Sequence, residues 1–181
     1  MISKLSIIAY NYWIQSASEQ VEQTELSYFG RIPSWVQGNF YRNGPGKFEF
    51  GEERYAHFFD PLAIAQRFEF SFDFTAKRTT VKYNSRFIKS RNFVENEKAS
   101  RIVYPEIGTW AEDDTVQYHP NGSMIEDEQQ VAQNRCKYLQ QHFPTDNTNI
   151  SLLKMGGKWL LAMTETPLFH VLHEGEFFKF T

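Results

Sequence analysis

Phe68-Glu-Phe-Ser-Phe-Asp-Phe74 alternates apolar and polar residues without a break. A period of two places all four Phe rings on one face of an extended strand, whereas a helix at 100° per residue would scatter them. Thr75 to Thr79 is polar and can turn, and Val81, Tyr83, Ser85 and Phe87 resume the period of two. The stretch predicts a β-hairpin. A second hairpin is predicted further on: Ile150 to Met155 is apolar-rich, Gly156-Gly157 suits a primed turn, and Lys158 to Thr164 runs back. A third pair is expected from Phe169 to His173, a turn at Glu174-Gly175, and Phe177 to Phe180. Residues 1 to 30 read as a mixed extension with a short helix ending near Gly30. Pro33, Gly38, Gly44, Pro45, Gly46 and Gly51 mark turns between short extended pieces. Arg42-Asn-Gly-Pro-Gly46 reads as a tight turn with a positive-φ glycine. The fold class expected is all-β and meander-rich.

The 181 residues give room for one domain. With 41% hydrophobic residues, the chain can build a core and is not disordered. One cysteine, Cys136, excludes a disulfide-stapled scaffold and a Cys-rich zinc module. A net charge of -3 argues against a duplex nucleic-acid binder. No apolar run is long enough for a membrane-spanning helix. Lys4 followed by apolar residues faintly resembles a secretory signal, but Ser6, Tyr10, Asn11 and Tyr12 interrupt it, so a cytoplasmic protein is expected. Residues 112–143 differ in composition, carrying Glu112, Asp113, Asp114, Glu126, Asp127, Glu128 and many Gln. They read as a polar, solvated, helical insertion, with a lid or membrane-facing segment as the competing reading.

Candidate chemistry is sparse. On a strand, His170-x-x-His173 sends its two rings to opposite faces, so a shared metal is not expected. His57, in Tyr55-Ala-His-Phe-Phe-Asp60, is expected to be hydrogen-bonded beside Asp60 or backbone. His119 and His142 stand apart, Cys136 has no evident partner, and no Gly-x-Ser-x-Gly elbow occurs. Pro45 spoils any phosphate-cradling reading of Arg42–Gly46. Glu165, in Met163-Thr-Glu-Thr-Pro167, ends an apolar strand, where polar residues can converge on a site or simply meet water.

Five segments in order carry a resemblance: Ile32-Pro-Ser-Trp-Val-Gln-Gly-Asn-Phe-Tyr-Arg-Asn-Gly-Pro-Gly46, His57-Phe-Phe-Asp-Pro-Leu-Ala63 running on to Phe70, Ser85-Arg-Phe-Ile88, Glu106-Ile-Gly-Thr109, and Thr145-Asp-Asn-Thr-Asn-Ile150 leading to Thr164-Glu-Thr-Pro167. Together they resemble the carotenoid cleavage oxygenase family, which includes animal β-carotene oxygenases and the retinal isomerohydrolase. The resemblance implies a seven-bladed β-propeller, of which 31–181 would be the N-terminal, incomplete part. It implies Fe(II) (Fe2+) held by four histidines that three glutamates orient, with O2 cleaving a conjugated polyene to apocarotenoid aldehydes such as retinal. Glu165 matches the first of those glutamates and Ile150 the residue beside the open iron position. Asp146, Asn147, Thr164 and Thr166 would be structural neighbours. None of the five histidines matches an iron ligand, so the resemblance places those ligands beyond Thr181 and implies an inactive fragment without iron. Pro61-Leu62 departs from the family's glycine after Phe-Asp, and 112–143 departs from its Pro-Asp-Pro-Cys-Lys stretch, which puts peripheral membrane contact in doubt. The competing expectation is a non-catalytic binding module or short isoform, taking an apolar ligand or a full-length partner.

Overall fold

The alternating Phe run is the second half of a longer strand. In the computed structural model, which describes residues 14–17, 21–106, 108–109 and 145–178, that strand is Leu62–Asp73. The described residues form nine strands, in chain order β1 (Thr24–Leu26), β2 (Gly38–Lys47), β3 (Glu49–Phe50), β4 (Glu53–Arg54), β5 (Leu62–Asp73), β6 (Arg78–Phe87), β7 (Ser151–Met155), β8 (Trp159–Met163) and β9 (Phe169–His173). Helix α1 spans Arg91–Ala99 and a single helical turn, α2, spans Glu174–Phe177. All pairings are antiparallel. One sheet has the order β1-β6-β5-β2, a second β7-β8-β9, and β3-β4 form a small ribbon.

The β5–β6 hairpin pairs Phe68 with Tyr83, Phe70 with Val81 and Phe72 with Thr79, so the rings share a face as expected. Asp73 closes the turn by accepting the Thr75 and Ala76 N–H groups at 2.7 and 2.9 Å. Those two bonds hold its carboxyl below the usual range. Phe74 falls in the turn and stays exposed. Leu62–Ala65, in contrast, is buried on both faces, because one side meets α1 and the ribbon while the other meets the second sheet. There Ala63 and Ala65 pack with Leu160 and Ala162, and Phe178 closes the layer. Phe50, Tyr55, Leu62, Phe93 and Ile102 form the other cluster.

The β7–β8 hairpin turns at Gly156 and Gly157, both at positive φ, where a side chain would be strained. Three expectations are corrected. Arg42–Gly46 is not a turn but the body of β2, with Arg42 to Pro45 opposite Gln66 to Ala63. Glycine is needed there for space, since a Cβ on Gly46 would lie 2.4 Å from Ile64 Cβ, and Pro45 is tolerated because β2 is an edge strand. Near Gly30 the described chain is a strand, β1, paired with β6, and not a helix. After β9 the chain forms α2 in place of a turn and strand: Glu174 is held by the Asn39 amide, the Tyr41 hydroxyl and Lys154, which ties the end of β9 to the first sheet. The predicted helical insertion at 112–143 lies outside the described residues.

Candidate functional site

Thr145–Asn149 forms a strap of five consecutive buried residues that are all polar. Most of their polar groups find partners, the exceptions being Asn147 Oδ1 and Thr148 Oγ1. Asp146 accepts the Arg91 and Asn92 N–H groups at 2.5 and 3.1 Å, satisfying the N-terminus of α1 beside the Ser90 cap. The Asn147 amide donates to the carbonyls of Asp60 and Pro61, and the Asn149 amide to those of Phe59 and Pro61. Asn43 on β2 donates to Thr148 O at 2.6 Å. From the far side, Thr166 donates to Thr145 O and His170 Nε2 to Asp146 O.

Two more carboxyls complete the layer. Asp60, almost fully buried, accepts the Gly108 N–H and, at 2.6 Å, the Thr109 hydroxyl. Glu106 accepts the Asn92 amide at 3.1 Å and the Thr145 hydroxyl at 2.7 Å. Burial pushes the Glu106 carboxyl up to about 8; those two hydrogen bonds oppose the shift, and the charges of Asp60 and Asp146 add to it.

The strap delivers the chain to β7. Ile150, half-exposed, donates its N–H to Met163 O, and Ser151 pairs with Met163. Ile150 and Glu165 therefore emerge at the same open end of the hairpin, away from the Gly156-Gly157 turn. Glu165 is exposed in the bend that follows β8.

A model of the family described as "RPE65: Retinal pigment epithelial membrane protein" matches residues 14–175. The chain belongs to that family. RPE65-family relatives include a carotenoid isomerooxygenase of Galleria mellonella, 35% identical over 87% of this chain. The beta,beta-carotene 15,15'-dioxygenase of Mus musculus is 33% identical over 84% of it. The chain spans about a quarter of the length of these curated relatives, 28% and 24% respectively. Among solved structures, an ACO/RPE65 chimera superposes with a TM-score of 0.67 at 22% identity, covering 91% of this chain and 29% of that one. A cobalt-substituted Synechocystis ACO superposes at 0.66, with the same identity and coverage. The fold is that of an open part of the RPE65-family β-propeller.

Within this RPE65-family frame, the three described histidines, His57, His170 and His173, do not converge. His57 accepts the Phe59 N–H at Nδ1, 3.8 Å from Asp60, as its structural reading expected. His170 faces the strap, and His173 stands edge-on to Trp159 at 5.0 Å. Among the described residues, no three His, Cys, Asp or Glu side chains are grouped to hold a metal, so the residues described do not fit a resident iron. His119, His142 and Cys136 lie outside the described residues. Sequence reasoning missed α1 and the role of Glu106. The signal for α1 was present: Ser90 precedes Arg91–Ala99, and its hydroxyl accepts the Phe93 N–H.

Proposed function

We propose that this chain contributes two adjacent propeller sheets and a positioning carboxylate, Glu165, to an Fe(II)-dependent oxygenase that cleaves a double bond of a carotenoid with O2. Each carbon of the broken bond ends as an aldehyde carbonyl, which accounts for both oxygen atoms. The observation that carries this reading is the family match over residues 14–175, together with relatives whose names describe carotenoid-cleaving activity. Ile150 and Glu165 sharing one end of the β7–β8 hairpin fits the roles assigned to them: Ile150 crowding the access to the metal, and Glu165 orienting a histidine supplied from elsewhere. The 181 residues by themselves hold no iron and cleave nothing. No helix among the described residues is long and apolar enough to cross a membrane. A cytoplasmic location, with peripheral membrane contact at most, is part of the same reading.

The test is metal analysis of the purified chain after incubation with Fe(II), followed by a polyene cleavage assay. Expected are sub-stoichiometric iron and no apocarotenoid product. One iron per chain with cleavage would overturn the assignment of the ligands to other residues.

A second reading, a non-catalytic module that binds an apolar molecule, is favoured by one observation. Met155, Gly156, Trp159, Leu161, Phe169 and Val171 line an apolar groove of about 480 Å³ on the outer face of the second sheet. Saturable binding of a polyene by the isolated chain, lost in Trp159→Ser, would support this reading.

A further inference from the structure

The two sheets are not held alike. The first has a packed layer on either side: Ala63 and Ala65 meet the second sheet, while Leu62 and Phe87 meet Phe50, Tyr55, Phe93 and Ile102. The second sheet has one packed face, because Met155, Trp159, Phe169 and Val171 on the other are about half exposed. In the layer between the sheets, Ala63, Ala65 and Ala162 each bring a single methyl group, beside Ile88 and Leu160. Phe178, 5% exposed, is the largest side chain there, and a buried ring of this kind covers roughly 150–250 Å².

The segment that carries this ring is gripped along its length by the first sheet. Tyr41, Arg67 and Asn84 form one row across β2, β5 and β6, with Asn39 and Arg86 next on the same face. Phe178 stacks on Tyr41 with centroids 6.1 Å apart, and the Arg67 guanidinium lies 5.1 Å from its centroid. The buried Asn84 amide donates to Phe178 O at 3.2 Å, and Arg86 donates to Phe177 O at 3.0 Å. Asn39 and Tyr41 donate to the Glu174 carboxylate, and Lys154 pairs with it at 3.0 Å. The Glu174 N–H bonds Lys158 O beside the Gly156-Gly157 turn, so this grip lies at the opposite end of the second sheet from the strap.

We propose that residues 174–178 are a latch that sets whether the second sheet is docked on the first. While the latch sits on the Tyr41–Arg67–Asn84 row, the sheets are closed. When it leaves, β7, β8 and β9 swing off together, pivoting on the strap, and the first sheet stays folded on its α1 side. Ile150 and Glu165 stand at the strap end, so the latch fixes the tilt of the hairpin that carries them. Phe178 lies past residue 175, where the family match ends, so the latch is assigned to this chain and not to its relatives. It rests on packing and hydrogen bonds alone and stands whether or not the catalytic reading does.

Native-state hydrogen exchange of the 181-residue chain, in urea below its unfolding transition, tests this. Opening at the β8 amides should cost less, and depend less on urea, than at the β5 and β6 amides. That pattern marks a partial opening, which exposes less surface than unfolding does. Phe178→Ala should speed β8 exchange without urea by roughly tenfold or more, because the ring's contacts are lost from the docked state only. Val171→Thr, on the bare face, should leave that exchange within roughly twofold of wild type. If β8 follows the same urea dependence as β5 and β6, the sheets part only by unfolding together, and the proposal is overturned. It is equally overturned if β8 opens separately but Phe178→Ala leaves that opening unchanged. Should Phe178→Ala fail to fold, Glu174→Ala decides. It frees Asn39, Tyr41 and Lys154 at the rim and should speed β8 exchange roughly threefold or more, and no change there sinks the latch.

Discussion

The strap and the outer face of the second sheet invert the usual placing of polar and apolar residues. Thr145 to Asn149 are polar and buried, whereas Leu153, Met155, Trp159, Phe169 and Val171 are apolar and about half exposed. The strap is buried because its amides and carboxylate meet main-chain groups that would otherwise be orphaned: the carbonyls of Phe59 to Pro61 and the first N–H groups of α1. The outer face is bare because strand alternation gives the second sheet two apolar sides, and only the side carrying Leu160 and Ala162 meets the first sheet. Hydrogen-bond satisfaction, and not hydropathy, decides what lies inside near the candidate site.

That contrast can be broken from either side. The largest effect is expected where the two sheets meet: Leu160→Ala should destabilise the chain by about 2–5 kcal/mol, read as a lowered urea midpoint, because the residue is fully buried. Next, Asn147→Ala removes the side-chain amide that donates to the Asp60 carbonyl and one of the two that donate to Pro61, and should cost about 1–3 kcal/mol by the same measurement, although it removes no apolar group. The smallest effect is expected on the outer face. Val171→Thr keeps the shape, adds a hydroxyl where the residue is 56% exposed, and should change stability by less than about 0.5 kcal/mol. A cost at Val171 comparable with that at Asn147 would mean that the outer face is covered in solution.

Much of this was legible in the chain. The Phe68–Phe74 alternation and the Gly156-Gly157 pair fix two hairpins, because strand period and primed-turn chemistry are local properties. What local rules could not supply were long-range reasons. Gly44, Pro45 and Gly46 look like turn residues, but the close approach of Ile64 and an edge position in the sheet make them strand. Phe177 and Phe178 look like strand, but Glu174 is tethered across the interface and curls the chain. At the candidate site, Glu165 and Ile150 were picked out through family resemblance, and the hairpin register brings them to one end. Glu106 gave no local signal, because its character comes from Asp60, Asn92, Thr145 and Asp146, which are scattered along the sequence.

The anchoring of residues 109 and 145 has a consequence for how this chain can diverge. Thr109 gives its hydroxyl to Asp60, Thr145 gives its own to Glu106, and the Glu106 N–H bonds Thr109 O, so the excursion between them departs from and returns to one cluster. Each threonine thereby fastens its own segment to a different buried carboxyl, so a lineage that replaces Thr109 or Thr145 must also find a new donor for Asp60 or Glu106.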